Sequence, residues 1–167
     1  QEPILVGHIS HIEGELFRYV AEEEANEPDW VLIRKDAPLG SPDILFSDKL
    51  SRAEFIFPNN ALVRIDSSTQ IDVVAIENDL AELYMTAGSG RFYNKSSAIA
   101  PIVLKAETAF GYVVAPSKTT FDLLVGEESV ELTVLRGTAE FIHVVNGREK
   151  RYEVGATSFS LRADSRN

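Results

Sequence analysis

The three histidines are the residues best suited to metal binding or proton transfer, and their spacing argues against both roles. His8 and His11 lie three positions apart in a segment that alternates like a strand. We expect them to project from opposite faces, where they cannot share a metal ion. His143 follows Phe141 on the expected inward face, which favours a core residue with a hydrogen-bonded ring. Because the sequence also lacks cysteine, we predict no catalytic residue, no metal site and no cofactor.

Carboxylates are too numerous, at 26 Asp and Glu residues, for any one pair to indicate acid–base chemistry. Asp72 and Asp122 occupy equivalent outward positions in two similar segments, with Asp66 near the first, but the ligand spacing of a calcium loop is missing. No Gly-x-Ser-x-Gly motif provides a hydrolase nucleophile. The segment 88–90, Gly-Ser-Gly, is interpreted as a hairpin rather than a phosphate loop, because no helix follows it. We predict a protein that is not an enzyme.

Two groups of side chains are candidates for partner binding. One group is aromatic and would form a partner-binding or sugar-stacking surface: Trp30, Tyr93 and Tyr112. The other is an acidic run that is interpreted as a solvated loop, with docking of a basic partner as the alternative: Glu22, Glu23 and Glu24. For Trp30, which follows this run, packing that anchors the loop is favoured over ligand contact.

The composition is that of a globular protein, with 44% hydrophobic and 25% charged residues in a chain of 167. This length suits one domain. A net charge of −10 repels phosphate groups, so nucleic acid and anionic membrane surfaces are not expected as partners. No apolar run of roughly 18 residues is present to span a bilayer. The chain starts at Gln1, so we expect that a signal peptide or another segment was removed.

Two parts of the chain repeat one strand-like pattern. Residues 63–74 match residues 113–124 at an offset of 50, and residues 82–92 match residues 131–141 at an offset of 49. Eight of the 23 aligned positions are identical. A period near 50 residues indicates a supersecondary unit that is used twice. Apolar and polar residues alternate in both copies, which is typical of antiparallel sheet with one buried face.

We therefore predict an all-β fold, a twisted β-sandwich or β-roll of antiparallel strands with an internal duplication of about 50 residues. The single domain, residues 1–167, is divided into a leader hairpin (1–20), an acidic loop (21–30), a duplicated core (about 50–145) and a closing hairpin (146–162). Five phenylalanines are assigned to the core: Phe55, Phe57, Phe92, Phe121 and Phe141.

One turn can be predicted closely. Alternation puts Phe57 on the same face as Ala61, so these residues should pair across a three-residue turn. Asn60 tolerates the left-handed conformation that such a turn needs. The same register places Glu54 opposite Arg64 as an outward ion pair.

The order of these motifs resembles the FecR family, sensor-type domains named for the iron-dicitrate regulator of Gram-negative bacteria. The matching segments, which cover about residues 50–145, are PNNA at 58–61, TQI at 69–71, AGSGRF at 87–92, AFG at 109–111, TTF at 119–121 and LRGTA at 135–139. Asn60 and Lys118 stand where that family usually has glycine. The segments 6–9 and 13–16 look like the leader hairpin of the secreted, stand-alone branch.

The resemblance implies a periplasmic or extracellular β-domain of a Gram-negative bacterium that acts by binding. In the namesake proteins a cytoplasmic segment controls a sigma factor, a single span crosses the inner membrane, and the periplasmic part meets an outer-membrane transporter. We recognise neither that segment nor that span in the sequence, so only the role of the β-domain as an interaction module carries over.

The predicted function is a non-enzymatic binding or signalling module of the cell envelope, whose partner is an envelope protein or a cell-wall polymer. Two alternatives stay open. One is an envelope scaffold that associates with copies of itself through its sheet edges, as a homo-oligomer. The other is a β-roll that binds a sugar or small molecule in a pocket lined by Trp30 or Tyr93.

Overall fold

The part of the chain that the structure describes is built from β-strands, as predicted. The computed structural model describes residues 5–21, 29–157 and 159–165. Within these ranges no helix is long and apolar enough to cross a membrane. The strands are β1 Gly7–Glu13, β2 Leu16–Val20, β3 Asp29–Ile33, β4 Pro38–Leu39, β5 Ile44–Ser47, β6 Arg52–Ile56, β7 Ala61–Ile65, β8 Thr69–Ile76, β9 Leu80–Asn94, β10 Val103–Thr108, β11 Gly111–Ala115, β12 Thr119–Val125, β13 Ser129–Arg136, β14 Thr138–Val145, β15 Arg148–Gly155 and β16 Leu161–Asp164.

These strands form two sheets that share one strand, β9. The front sheet has the order β4-β1-β6-β7-β9-β12-β13-β16, and the back sheet has the order β3-β2-β5-β8-β9-β10-β11-β14-β15. The first half of β9 pairs with β8 and β10, and its second half pairs with β7 and β12. The pairing of β9 with β10 is parallel, which corrects the prediction of antiparallel strands throughout. Because β9 leaves the back sheet halfway, residues 95–102 can return the chain to the start of β9 in the same direction.

Inward-facing side chains of both sheets form one buried core. The five phenylalanines assigned to the core are all buried, and the rings of Phe92 and Phe121 stack with their centroids 4.9 Å apart. The same cluster includes Ile9 from the first strand and Ala163 from the last. Burial of this apolar surface supplies the main driving force for folding.

The two copies of the sequence repeat make the same strand pairings. Corresponding pairs differ by 50 positions in one strand and by 49 in its neighbour, as in the sequence alignment. Val63 pairs with Phe92 in the first copy, and the equivalent residues Val113 and Phe141 pair in the second. Likewise, Ile71 pairs with Met85, and the equivalent residues Phe121 and Val134 pair with each other. The sequence repeat is therefore also a repeat of strand register.

In each copy the chain passes between the sheets at a glycine. Gly88 in the middle of β9 has a φ of 105°, and Gly137 between β13 and β14 has a φ of 78°. A Cβ atom at Gly88 would lie 2.5 Å from the Cα of Thr69, and one at Gly137 would lie 3.2 Å from the Cα of Thr119. Only glycine, which has no Cβ atom, accepts both the positive φ and the close contact with the neighbouring strand. The hairpin predicted at residues 88–90 is wrong, because β9 bends there and continues into the front sheet.

The two ends of the described chain do not form the predicted hairpins. Strand β1 pairs with β4 and β6, whereas β2 pairs with β3 and β5, so the leader segment 1–20 divides between the sheets. The closing segment 146–162 divides likewise, because β15 pairs with β14 and β16 pairs with β13. Of the predicted acidic loop 21–30, Asp29 and Trp30 belong to β3, and residues 22–28 lie outside the described ranges.

The turn between β6 and β7 forms as predicted. The backbone N–H of Phe57 donates to the carbonyl of Ala61 at 3.0 Å, and Asn60 has a φ of 70°. Lys118, at the other position where glycine was expected, has a φ of 63°. Both residues therefore adopt the left-handed backbone that glycine takes most easily.

Candidate functional site

The aromatic residues predicted to bind a partner lie in three separate places. Trp30 is in β3 at the edge of the back sheet, Tyr112 is in β11 of the same sheet, and Tyr93 is on β9 in the front sheet. The acidic residues predicted with them lie outside the described ranges: Glu22, Glu23 and Glu24. The structure therefore does not bring the three aromatic residues together into one site.

The rings of Tyr93 and Tyr112 are each flanked by cations of this chain. The Nζ of Lys105 lies 4.4 Å from the ring centroid of Tyr112. The Cζ of Arg64 and the Nζ of Lys95 lie 5.2 Å and 5.4 Å from that of Tyr93. A ring face that already holds a cation is not free to stack on a sugar. These tyrosines consequently offer poor sugar-binding platforms.

Trp30 has a different environment. Its ring centroid lies 5.4 Å from that of Tyr19 in an edge-on arrangement and 6.0 Å from that of Phe46. Even so, 38% of the Trp30 surface is exposed, and Tyr19 is exposed by 37%. Trp30 is thus fixed by aromatic neighbours while one side remains open to a partner.

Trp30 belongs to a larger apolar surface on the outer face of the back sheet. Strand register places Trp30 opposite Tyr19, and it places Phe17 between Leu32 and Phe46. Leu32 is exposed by 53%. Because alternate residues share a face, six side chains from β2, β3 and β5 lie together, and we call them the aromatic patch: Phe17, Tyr19, Trp30, Leu32, Ile44 and Phe46.

The aromatic patch reaches a free sheet edge. In the described part of the chain, β3 pairs with β2 on one side and with no strand on the other. All but the last residue of β3 are exposed. An edge strand with open backbone groups and apolar side chains can accept a further strand.

A row of ion-paired side chains lies on the outer face of the front sheet. It crosses β6, β7, β9 and β12 in the order Glu54, Arg64, Arg91 and Asp122, and we call it the charged row. Arg64 donates a hydrogen bond to Glu54 at 2.6 Å, which confirms the predicted pair, and Arg91 donates two to Asp122 at 2.7 Å and 3.0 Å. Burial raises the pKa of Glu54, but hydrogen bonds from Arg64 and Ser10 outweigh it and hold that pKa below its ordinary value. The charged row thus satisfies its own charges.

Three residues of the charged row, Arg64, Arg91 and Asp122, line a shallow groove of about 530 Å³. Arg52 and Asp66 also line this groove, and their side chains pair at 3.3 Å. Its arginines are therefore matched by carboxylates, which leaves little net charge to attract an anionic ligand. We interpret the groove as a self-neutralised outer surface.

The aromatic patch and the charged row lie beside Asp72 and Asp122, which are equivalent residues of the repeat. Ile44 lies opposite Asp72 between β5 and β8, just as Arg91 lies opposite Asp122 between β9 and β12. The next pairs correspond in the same way, namely Trp30–Tyr19 and Glu54–Arg64. The strands beside Asp122 therefore present ions on the front sheet, where those beside Asp72 present apolar groups on the back sheet.

Asp72 differs from Asp122 in its surroundings. Its neighbours across the strands are Ile44 and Tyr84 rather than an arginine. Its Oδ1 atom is buried and has no hydrogen-bond partner among the described residues. Burial raises the pKa of Asp72, and a hydrogen bond from Gln70 opposes this only in part. A poorly satisfied carboxylate thus borders the aromatic patch.

The relative orientation of His8 and His11 differs from the prediction. A bulge between Ile9 and His11 shifts the register, so that His8 pairs with Ile56 and His11 with Glu54. The two histidines therefore share the outer face, and the prediction of opposite faces is wrong. Across the described ranges, no group of three or more His, Cys, Asp or Glu side chains is arranged to hold a metal. His143 is buried and donates a hydrogen bond to the carbonyl of Asp164 at 2.6 Å, as predicted for a core histidine.

Five residues of the aromatic patch were missed in the sequence, where only Trp30 was identified. In the segment Leu16–Val20 only Arg18 is charged, and apolar or aromatic side chains lie on both faces. The segment from Trp30 to Ile33 is apolar at every position. Because residues 21–30 were interpreted as a loop, these two segments were not paired and their shared outer face was not recognised.

Comparison with known proteins supports the fold and the family. The chain is similar to a protein described as a "putative anti-sigma factor" from Parabacteroides distasonis ATCC 8503, with crystal structures at 2.50 Å and 1.65 Å resolution. Each aligns with a TM-score of 0.53 and 14% sequence identity over 72% of this chain. This chain spans 59% of the length of that protein, and the likeness is one of fold. No curated protein matches the sequence.

A comparison with protein-family models identifies the family of this chain. The model of the FecR protein family matches residues 43–140. This range contains the first copy of the repeated unit, the second copy except for Phe141, the charged row and the part of the aromatic patch that lies in β5. Since the match extends over more than half of the sequence, the chain belongs to the FecR family.

Proposed function

We propose that this chain is a non-enzymatic regulatory module of a Gram-negative cell envelope, and that it binds another protein on the aromatic patch. The observation that carries the proposal is the patch itself, in which Tyr19, Trp30 and Leu32 are exposed and the other three side chains are partly buried, beside an open edge strand. Contiguous apolar surfaces of this kind mark interaction sites on soluble proteins. Membership of the FecR family, and a fold shared with a protein described as an anti-sigma factor, support the regulatory role.

The composition of the patch favours a protein over a cell-wall polymer. Trp and Tyr side chains contribute most of the binding energy at protein interfaces, because they bury a large area at low entropic cost. The rings of Trp30 and Tyr19 contact each other edge to face, so neither presents an isolated platform for a sugar. The backbone of β3 can in addition pair with an extended segment of a protein.

A pull-down from a Gram-negative envelope extract, followed by binding of the purified captured protein, tests this proposal. Trp30→Ala and Leu32→Ala remove patch side chains, and we expect each to weaken binding by about tenfold or more. Leu124→Ala is a matched control, because Leu124 is also exposed by 53% but lies on the front sheet. Equal binding by the patch variants and the control would contradict the proposal.

A second candidate function is self-association as an envelope scaffold. It is favoured by the open edge of β3 and by the second terminal strand of the back sheet, β15, which pairs only with β14 in the described part. Light scattering after size-exclusion chromatography separates the two functions. An oligomer that Trp30→Ala dissociates, together with an empty pull-down, would favour the scaffold.

A further inference from the structure

We propose that the partner protein places an arginine or lysine side chain against Asp72 when it covers the aromatic patch. This inference rests on the proposed function, because it concerns the occupant of that patch. Its basis is a difference between the two copies of the repeat at one equivalent position.

The second copy shows what this position requires. Asp122 lies on the outer face of β12 and receives two hydrogen bonds from Arg91, which is directly opposite on β9. Such a fork between a guanidinium and a carboxylate satisfies both oxygens of the acid. The chain itself therefore provides the cation for Asp122.

The first copy has the acid without the cation. Asp72 is the equivalent of Asp122, but the residue opposite it is Ile44. The Oδ1 atom of Asp72 is buried and lacks a hydrogen-bond partner among the described residues, while the side chain as a whole is partly exposed and receives a hydrogen bond from Gln70. A buried acceptor without a partner is costly, and such groups are uncommon in folded proteins. A partner that brings a cation to the exposed part of this carboxylate would compensate its charge, as Arg91 does for Asp122.

The surroundings indicate what kind of side chain fits. Tyr84 lies opposite Asp72 on one side, and Ile44 joins it to the aromatic patch on the other. A guanidinium can bond a carboxylate in its plane while its face rests on an aromatic ring, so arginine suits this position better than lysine. The net charge of −10 also favours a basic partner. The expected occupant is an extended protein segment with apolar residues flanking one arginine.

Selection from a phage-displayed library of random peptides tests this without knowledge of the natural partner. The library is selected on the wild-type protein, on Asp72→Asn and on Trp30→Ala. We expect peptides retained by the wild type to be enriched in arginine or lysine beside apolar residues. This enrichment should disappear with Asp72→Asn, whereas Trp30→Ala should retain few peptides of either kind.

Titration of one selected peptide gives the decisive comparison. Replacing its arginine by citrulline removes the charge with little change of shape, and should weaken binding to the wild type by about tenfold. Asp72→Asn should bind both peptides equally, and Asp122→Asn, the matched control, should behave like the wild type. Equal affinity of both peptides for the wild type would overturn this inference and leave the patch proposal standing. Failure to select any peptide that depends on Trp30 would overturn the proposed function itself.

Discussion

Asp72 and Asp122 are equivalent residues with unequal partners, and the difference is visible only after strand register is known. In the sequence both appear as outward acids of a repeat, and surface solubility accounts for each of them. In the structure Asp122 is paired by Arg91, whereas Asp72 borders the aromatic patch with one oxygen unsatisfied. The type and face of such a residue can be predicted from alternation, but its neighbour across the sheet comes from a distant part of the chain.

Replacing Asp72 by Asn should stabilise the free protein at neutral pH. Burial raises the pKa of Asp72 above its ordinary value of 3.8, so ionisation is less favourable in the folded state than in the unfolded state. This cost is complete above the raised pKa and disappears as the pH falls to 3.8 and below. The carboxylate is partly exposed, so the gain in unfolding free energy should stay below about 1 kcal/mol.

Urea titrations of the two proteins at about pH 7 and at about pH 3.5 measure this effect. The midpoint of Asp72→Asn should exceed that of the wild type at the higher pH, and the two should converge at the lower. Asp122→Asn serves as the control and should have the opposite sign at neutral pH, because it breaks the pair with Arg91. A loss of stability in both variants at neutral pH would show that the two acids are equally well satisfied.

At the scale of elements, strand β9 is the feature that sequence patterns described least well. Its two halves alternate correctly, and the residues assigned inward, such as Leu83 and Phe92, are buried. The pair of glycines within it was interpreted as a turn, because glycine pairs are common in hairpins. A bend that transfers a strand from one sheet to another uses the same residue type, so local sequence does not distinguish these two outcomes.

Gly88→Ala should destabilise the protein by more than about 1 kcal/mol, because alanine tolerates neither the backbone nor the space at this bend. The new Cβ would lie 2.5 Å from the Cα of Thr69 at a φ of 105°. Gly126→Ala provides the control, since its Cβ would meet the nearest atom, the carbonyl oxygen of Ser129, at 3.7 Å. Chemical denaturation should lower the midpoint for Gly88→Ala well below that for Gly126→Ala, and similar midpoints would mean that the bend can relax.

At the scale of the whole molecule, the all-β class and the core phenylalanines could be predicted from the sequence, and so could the turn at Asn60. These features depend on alternation and on local turn chemistry, which are readable over a few residues. The separation of the two end segments between the sheets was not predicted. Nor was the parallel contact of β9 with β10, because both depend on which distant strands compete for the same sheet edge.

The shared strand should make the two sheets unfold together. Because β9 belongs to both, its loss would remove the centre of each sheet. Trp30, the single tryptophan of the chain, reports on the far edge of the back sheet, while far-UV circular dichroism reports on all strands. We expect the two signals to give the same midpoint in urea, as a two-state transition requires. An earlier change in Trp30 fluorescence would show that β2 and β3 open independently.

The positions of β3 and β15 at opposite ends of the back sheet have a consequence for symmetry. If two copies joined β3 to β3, the contact would be related by a twofold axis and assembly would stop at a dimer. If β3 of one copy joined β15 of the next, each added copy would present a fresh edge, and the sheet would grow into a filament. The stoichiometry of any self-association therefore identifies the strands that meet, since a closed dimer and an open fibre require different edges.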